Sequence, residues 1–387
     1  MVYSGWNVQR LHILMTCFEF PPLGGGGSRM VSGLANELAE LGHHVDLITM
    51  RFRGLPRFEV IGGVNVYRVP CLRFRAAICT PPEQLSYVLG AWPVAQRLLR
   101  QSRPDIIHSH FILPDGLLAI AMKRRSGIPY VITAHGSDVP GYNPDRFRAL
   151  HPILTPIWKC VTHQANAIIS PSQSLADLIQ AKRYEGSLGI IPNGYHMTGF
   201  ATTRHQPGNM LVVSRLFERK GVQYLLQALE GFARPLNLHI VGDGPYLTEL
   251  KQAARRLQTR AVVHFHGWVD NTSSAFRELI ETATIFALPS EAENFPNALL
   301  EAMAAGLAII TTSGTGCEEV VGPTALLVPP RNAARIRAAI EQLSAAPALC
   351  DELGRAAQAR VSEMYSWRSV AEQYVETYQR AVRSARP

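Results

Sequence analysis

A chain of 387 residues, 47% hydrophobic and 18% charged, suits two domains of ordinary size and contains no compositionally disordered tract. Its formal charge of +8 lies almost wholly in the first half: residues 1–190 carry 19 Lys/Arg against 12 Asp/Glu, and residues 191–387 carry 19 against 18. No apolar run reaches the ~20 residues of a spanning helix, Met1 to Arg10 lacks a leader's long apolar region, and the six cysteines include no CxxC pair, so the expectation is a cytoplasmic protein with reduced, mostly buried thiols.

Leu11 to Met15 reads as a short buried strand, followed by Phe20-Pro21-Pro22-Leu23 and four glycines, Gly24 to Gly27. Met30, Val31, Leu34, Leu38 and Leu41 have helical spacing closed by Gly42, and Val45 to Thr49 is the next strand. This is a βαβ unit entered through a glycine-rich loop, as in a Rossmann half; a flexible tether is the other use of such a run. Phe58 to Val69 is a strand, a turn at Gly62-Gly63 and a second strand, and Arg68 to Arg75 is basic enough to border an acceptor site. Leu85 to Leu99 is an apolar helix. Core packing explains it, and an interfacial membrane contact backed by Arg97, Arg100 and Arg103 is the second explanation. The basic first half suits an anionic membrane surface, an acidic acceptor, or solubility alone; no nucleic-acid module accompanies it, so nucleic acid is not an expected partner.

Asp105 to His108 and Tyr130 to Thr133 are strands around a helix at Leu117 to Arg125. Both run into histidine-bearing loops, His108-Ser109-His110 and Ala134-His135-Gly136-Ser137-Asp138, at the strand ends where parallel sheets collect ligands. His110 and His135 lie in separate units without a ligand cluster, so no metal is expected. Ala167 to Ser170 is the last strand of the first half, with a helix from Ser172 to about Lys182. Ile190-Ile191-Pro192-Asn193-Gly194 leads into Tyr195 to Asn209, a polar stretch rich in Gly, Pro and Thr and the best linker. The second half restarts with strand Met210 to Val213, then Ser214-Arg215-Leu216 and Lys220-Gly221. A guanidinium and an ammonium five residues apart on one strand-to-helix loop suit a diphosphate; ordinary surface cations are the alternative. Leu238 to Val241 precedes Gly242-Asp243-Gly244-Pro245, which lacks the third glycine of the dinucleotide fingerprint and counts against a nicotinamide dehydrogenase. Val262 to Phe265 runs into His266-Gly267-Trp268-Val269.

Ile285 to Leu288 and Leu307 to Ile310 are two further buried strands. Between them, Pro296 suits a first helical turn, Asn297 a cap at about the same place, and Gly306 a C′ stop, so the unit is a parallel crossover. Pro296 leaves Glu293 on the loop and places Glu301 about one turn inside the helix. The amides of Asn297, Ala298 and Leu299 form the helix's positive end, a ready anion site. Carboxylates on either side of it accept hydroxyls, which describes a ligand with both phosphate and sugar; two solvated surface charges are the alternative.

Pro289-Ser290, Glu293, Phe295, Glu301-Ala302-Met303-Ala304 and Gly306 resemble the donor-site signature of the family-4 glycosyltransferases, retaining enzymes of the GT-B fold, with Asn294 where Gly is commoner. Pro21-Pro22 with the glycines and Gly42-His43, the Thr-x-His-Gly-x-Asp run ending at Asp138, Ile190 to Gly194, Arg215-Leu216 with Lys220-Gly221, and Leu326 to Pro330 resemble the same family in order over nearly the whole chain. The resemblance implies an α/β protein of two Rossmann-like doubly wound parallel-sheet domains with an inter-domain cleft. Residues 1–191 would bind the acceptor, 192–368 the nucleotide sugar, and 369–387 would cross back as a helix onto the first domain. It implies retaining transfer of a hexose from a nucleoside diphosphate sugar, UDP ahead of GDP, to a lipid-linked or polysaccharide acceptor in cell-surface glycan synthesis.

By the same resemblance Gly25 and Gly26 approach the donor phosphates, His135 faces the reacting sugar, Arg215 and Lys220 clamp the leaving diphosphate, Glu293 contacts the hexose and Glu301 the ribose. Asn294, Phe295, Asn297, Ala298 and Leu299 complete the donor site. His135, Glu293, Arg215 and Lys220 are the expected catalytic residues, with no cofactor or metal. A sugar-nucleotide epimerase or phosphorylase of the same fold, or a non-catalytic nucleotide-sugar-binding protein, is the alternative. The basic first domain would make any membrane contact peripheral, at the inner face.

Overall fold

A computed structural model describes residues 10–76, 79–142, 151–196, 199–201 and 204–385, with 151–153 as backbone alone. The reading of the first nine residues and part of the linker reading at 195–209 lie outside the described residues. Two compact units emerge: Met1–Gly194 with Trp367–Pro387, and Tyr195–Ser366.

Unit 1 runs β1 (His12–Thr16), α1 (Gly26–Glu40), β2 (His44–Met50), β3 (Phe58–Ile61), β4 (Val64–Val69), α2 (Pro81–Gln101), β5 (Ile106–His110), α3 (Asp115–Ser126), β6 (Tyr130–Thr133), α4 (His151–Gln164), β7 (Ala167–Ser170), α5 (Gln173–Gln180) and β8 (Leu188–Ile190). The strands form one sheet in the order β3-β4-β2-β1-β5-β6-β7-β8, parallel except for the β3–β4 hairpin. Ile13, Leu14 and Met15 are all fully buried, as expected of a central parallel strand covered on both faces. α2 starts four residues before the apolar run, because Thr80 and Glu83 make a capping box.

Unit 2 runs β9 (Asn209–Val213), α6 (Val222–Ala228), β10 (Leu236–Val241), α7 (Leu247–Arg256), β11 (Ala261–Gly267), α8 (Ser274–Thr282), β12 (Ile285–Leu288), α9 (Asn297–Ala304), β13 (Ala308–Thr312), α10 (Gly316–Val321), β14 (Ala325–Val328), α11 (Ala333–Ala345) and α12 (Pro347–Met364). Its all-parallel sheet has the order β11-β10-β9-β12-β13-β14, the doubly wound arrangement. Alternation along each strand feeds two cores, one on each face: Met210 and Val212 point into one, Leu211 into the other.

The last helix, α13 (Trp367–Ala385), belongs to unit 1. Its Trp367 ring fills a slot that exists because Gly33 and Gly194 have no side chain; a Cβ on either would lie 2.2–2.3 Å from the ring. Further along α13, Tyr374 and Tyr378 are fully buried, with Tyr378 Oη 2.7 Å from His108 Nδ1 and Tyr374 Oη 3.1 Å from Thr133 Oγ1. Among the described residues no helix is long and apolar enough to cross a membrane. All six cysteines are free thiols and mostly buried, as expected; Cys71 is half-buried and Cys160 exposed.

Candidate active site

In unit 2 the sheet grows outward in both directions from the neighbours β9 and β12, so the loops leaving their carboxyl ends meet at the topological switch point. Backbone contact holds them together. Gly221 has φ +72° and a Cβ there would lie 1.9 Å from the Pro289 carbonyl oxygen, while Glu291 N–H donates to Arg219 O at 2.9 Å. On this frame Lys220 Nζ donates to Glu293 Oε1, and Ser290 Oγ donates to the same oxygen at 3.0 Å. The two charged side chains keep 14% and 11% of their surface, so the pair is reachable from water. The next loop clamps the segment: Gly316 N–H donates to Glu293 O at 3.0 Å, and a Cβ on Gly316 would come within 1.7 Å of Asn294 O.

α9 opens beside this pair. Pro296 is its N-cap, one position earlier than the Asn297 cap the sequence suggests, and Asn297 is its first residue. Leu299 N–H donates to Pro296 O at 3.0 Å. Of the three amides expected to face an anion, that of Leu299 therefore closes the first turn instead. Ala298 is partly buried, and Gly306 at φ +71° ends the helix as expected. Asn294 is buried and its φ is not positive, so the position asks for no glycine. Phe295 packs edge-on against Tyr365 at 5.5 Å. Glu301, in the second turn of α9, accepts a hydrogen bond from Asn271 Nδ2 on the β11–α8 loop. Arg215 is exposed, its guanidinium 5.7 Å from the centre of the Phe217 ring. Lys220 and Glu293, assigned by the resemblance to the diphosphate and to the hexose, are thus partners, whereas Arg215 lies on an aromatic side chain.

In unit 1 Gly25 is the N-cap of α1 and Gly26 its first residue. The glycine that matters to His135 is the next one: a Cβ on Gly27 would stand 3.4 Å from His135 Nδ1 and 3.2 Å from Phe111. His135 follows β6, its ring packs on Phe111 at 4.3 Å, and its Nε2 lies 3.3 Å from His110 Nδ1. Asp138 ties the two loops together, accepting Ile112 N–H at 2.7 Å and His135 N–H at 2.9 Å. Burial lowers the His135 pKa to about 3 and that of His108 to about 3, and it holds His110 well below the usual imidazole range with help from both neighbours. Burial also pushes Asp138 up to about 6, against the backbone N–H groups that favour its anion. His108 and His110 lie on β5 itself, not in a loop after it. His108 bridges Thr133 Oγ1 at 2.8 Å and Tyr378, a structural bond that fixes its ring.

Ser290, Asn271, Gly27 and Gly316 are the site residues that sequence reasoning did not assign. Ser290 stood within the donor-site motif and Gly27 within the glycine run; Asn271 and Gly316 are brought in by strand order, for which no local signal exists.

Residues 24–198 match the family model described as Glycosyltransferase Family 4, and residues 201–360 match Glycosyl transferases group 1. An uncharacterized glycosyltransferase of Methanocaldococcus jannaschii is 27% identical over 96% of this chain and 99% of its own. Sucrose-phosphate synthase of Thermosynechococcus elongatus superposes with a TM-score of 0.79 at 22% identity, covering 97% of this chain and 100% of that one. Anabaena HepE, solved in complex with UDP-glucose, gives 0.73 at 18% identity over 96% and 100%.

Proposed function

Since the chain belongs to the group 1 glycosyltransferases of family-4 type, with the GT-B fold, we propose that it transfers a hexose from UDP-hexose to a lipid-linked or polysaccharide acceptor with retention at the anomeric carbon. The observation that carries the proposal is the Lys220–Glu293 pair, held at the β9–β12 switch point beside the amino end of α9. Lys220 is released to the diphosphate when the donor arrives, and Glu293 turns to the hexose hydroxyls. The bond between the anomeric carbon and the diphosphate oxygen breaks with oxocarbenium character. The acceptor oxygen attacks from the same face, and its proton passes to the departing diphosphate oxygen. Lys220, Arg215 and the first turn of α9 take the charge that develops, so no metal is required; one well-aimed donor is worth about 3 kcal/mol. Glu301 holds the ribose, with Asn271 orienting its carboxylate. In unit 1, Gly25 and Gly26 open α1 towards phosphate, and a neutral His135 exchanges hydrogen bonds with the hexose without adding charge.

UDP as carrier is supported by the UDP-glucose complex of the Anabaena neighbour. A lipid-linked acceptor at an inner membrane face is supported by an apolar cluster on unit 1. Leu85 and Leu89, one turn apart on α2, and Leu72 and Phe74 are all exposed. The last two are held to α2 through Leu72 N–H to Ser86 Oγ and Phe74 N–H to Glu83 Oε1. A thermal-shift panel of UDP, GDP and ADP sugars, followed by an NMR assay of the anomeric configuration of the product, tests the proposal. Stabilisation by UDP-hexose and a retained α configuration are expected. An inverted product, an isomerised sugar nucleotide or a free sugar phosphate overturns it.

A further inference from the structure

At the opposite end of the unit 1 sheet, where β1 and β2 begin, two imidazoles and a carboxylate converge. His12 Nε2 lies 2.9 Å from Asp46 Oδ2, and His44 Nε2 lies 3.4 Å from Asp46 Oδ1. All three donor atoms fall within 4.8 Å of one another. The register pairs His12 with His44, so adjacent parallel strands fix the spacing of the two imidazoles rather than a mobile loop. His12 is pinned from behind, with its Nδ1 3.0 Å from Ser102 O. Ser102 O and Asp46 Oδ2 are both acceptors, and a neutral imidazole carries one proton. With Nδ1–H on the carbonyl, the Nε2 lone pair faces a carboxylate oxygen, a contact that a cation between them turns from repulsive to attractive. Asp46 is nearly fully buried, and Asn65 Nδ2 donates to its Oδ1 at 2.9 Å, the outer contact that orients a ligating carboxylate.

We propose that His12, His44 and Asp46 bind one divalent cation of the zinc class, which fastens the amino ends of β1 and β2 together. Two nitrogens and one carboxylate oxygen are a zinc donor set, and bonds of about 2.0–2.2 Å to a tetrahedral ion would set the ligand atoms roughly 3.3 Å apart. The observed 2.9 and 3.4 Å run to the two different oxygens of Asp46, so the carboxylate turns to share one oxygen between the imidazoles or offers both to the ion, and the nitrogens close in from within 4.8 Å. The remaining position faces water: His44 is 55% exposed, and a cavity of about 390 Å³ lined by Arg10, His12, Gly42, His43 and Asp105 opens beside it. β1 is five residues long, so this site stands roughly 13 Å from the carboxyl end of that strand and does not depend on the transferase proposal.

The probe is Co²⁺ added to the chelator-treated full chain, followed spectroscopically and by calorimetry, with Zn²⁺ as competitor. One equivalent of Co²⁺ with visible d–d absorption, displaced by Zn²⁺, is expected in the unmodified protein. His44→Ala, at an exposed position that should leave the fold intact by circular dichroism, is expected to abolish it. Asn65→Ala is expected to weaken it about 10- to 100-fold. Absence of stoichiometric uptake overturns the proposal. So does uptake unchanged in His44→Ala, which would place the metal on other imidazoles such as His239, His264 and His266.

Discussion

The two units offer polar groups at the carboxyl ends of similar parallel sheets, yet they do it in opposite ways. Unit 2 presents a charged pair, Lys220 and Glu293, partly wet and able to exchange partners. Unit 1 presents imidazoles kept neutral, His108 and His110 fully buried and His135 half-buried against His110, with Asp138 holding both of their loops. The difference follows from solvation. A group that must meet a diphosphate has to stay ionised, and full burial of an ion costs several kcal/mol unless its partner never leaves. A group that only orients hydroxyls can be buried, because a neutral imidazole carries a far smaller penalty than an ion, even where, as at His110 Nε2, one ring nitrogen has no hydrogen-bond partner among the described residues.

The sharpest break of that contrast is Lys220→Ala, expected to lower kcat/KM by about 10²–10³-fold in steady-state kinetics and to weaken UDP binding. Glu293→Gln separates the two halves of the pair. It should lower turnover while UDP affinity, measured by calorimetry, stays level or rises, because the ammonium no longer has to leave a carboxylate. Equal loss of UDP affinity in both variants would mean that the pair acts as one fixed unit.

Acid should divide the units next. The lowered pKa values of His108, His110 and His135 favour their neutral forms in the fold. The stabilisation from His108 and His135 is complete above the ordinary value of 6.5 and is lost as the pH falls towards 3, and that from His110 is lost in the same direction. Asp138 opposes them: its raised value gives stability that is present below 3.8 and lost as the pH rises through about 6. Three bases outweigh one acid, so amide exchange at pH 4–5 should open β5 and β6 before β9 and β12. Simultaneous opening would erase the distinction. The smallest effects belong to the proposed ribose contact: Glu301→Ala should weaken the donor about tenfold and Asn271→Ala by less, as direct and supporting hydrogen bonds do.

What the sequence could show follows the same division between near and far. Ile285–Leu288, Tyr130–Thr133 and Ala167–Ser170 are strands with the very boundaries their apolar runs suggest, and Gly306 ends α9 where expected. Each of these signals sits within a few residues of what it governs. Lys220 and Glu293 are 73 positions apart and meet only because β9 lies next to β12, and Asn271 reaches Glu301 across 30. Both carboxylates could therefore be singled out, but not the groups that hold them. The same limit moved His108 from a ligand-facing loop into a bond with Tyr378, 270 residues away.

Trp367 and α13 carry a consequence for the order of synthesis. Unit 2 is one uninterrupted segment and can fold as soon as it leaves the ribosome, whereas unit 1 waits for a piece translated after unit 2. Until that piece arrives, the groove at Gly33 and Gly194 is unfilled and the His108 ring lacks the Tyr378 hydroxyl. A nascent chain stalled after Ser366 should accordingly show a protease-resistant second half and a cleavable first half. The earliest-made domain would be the last to mature.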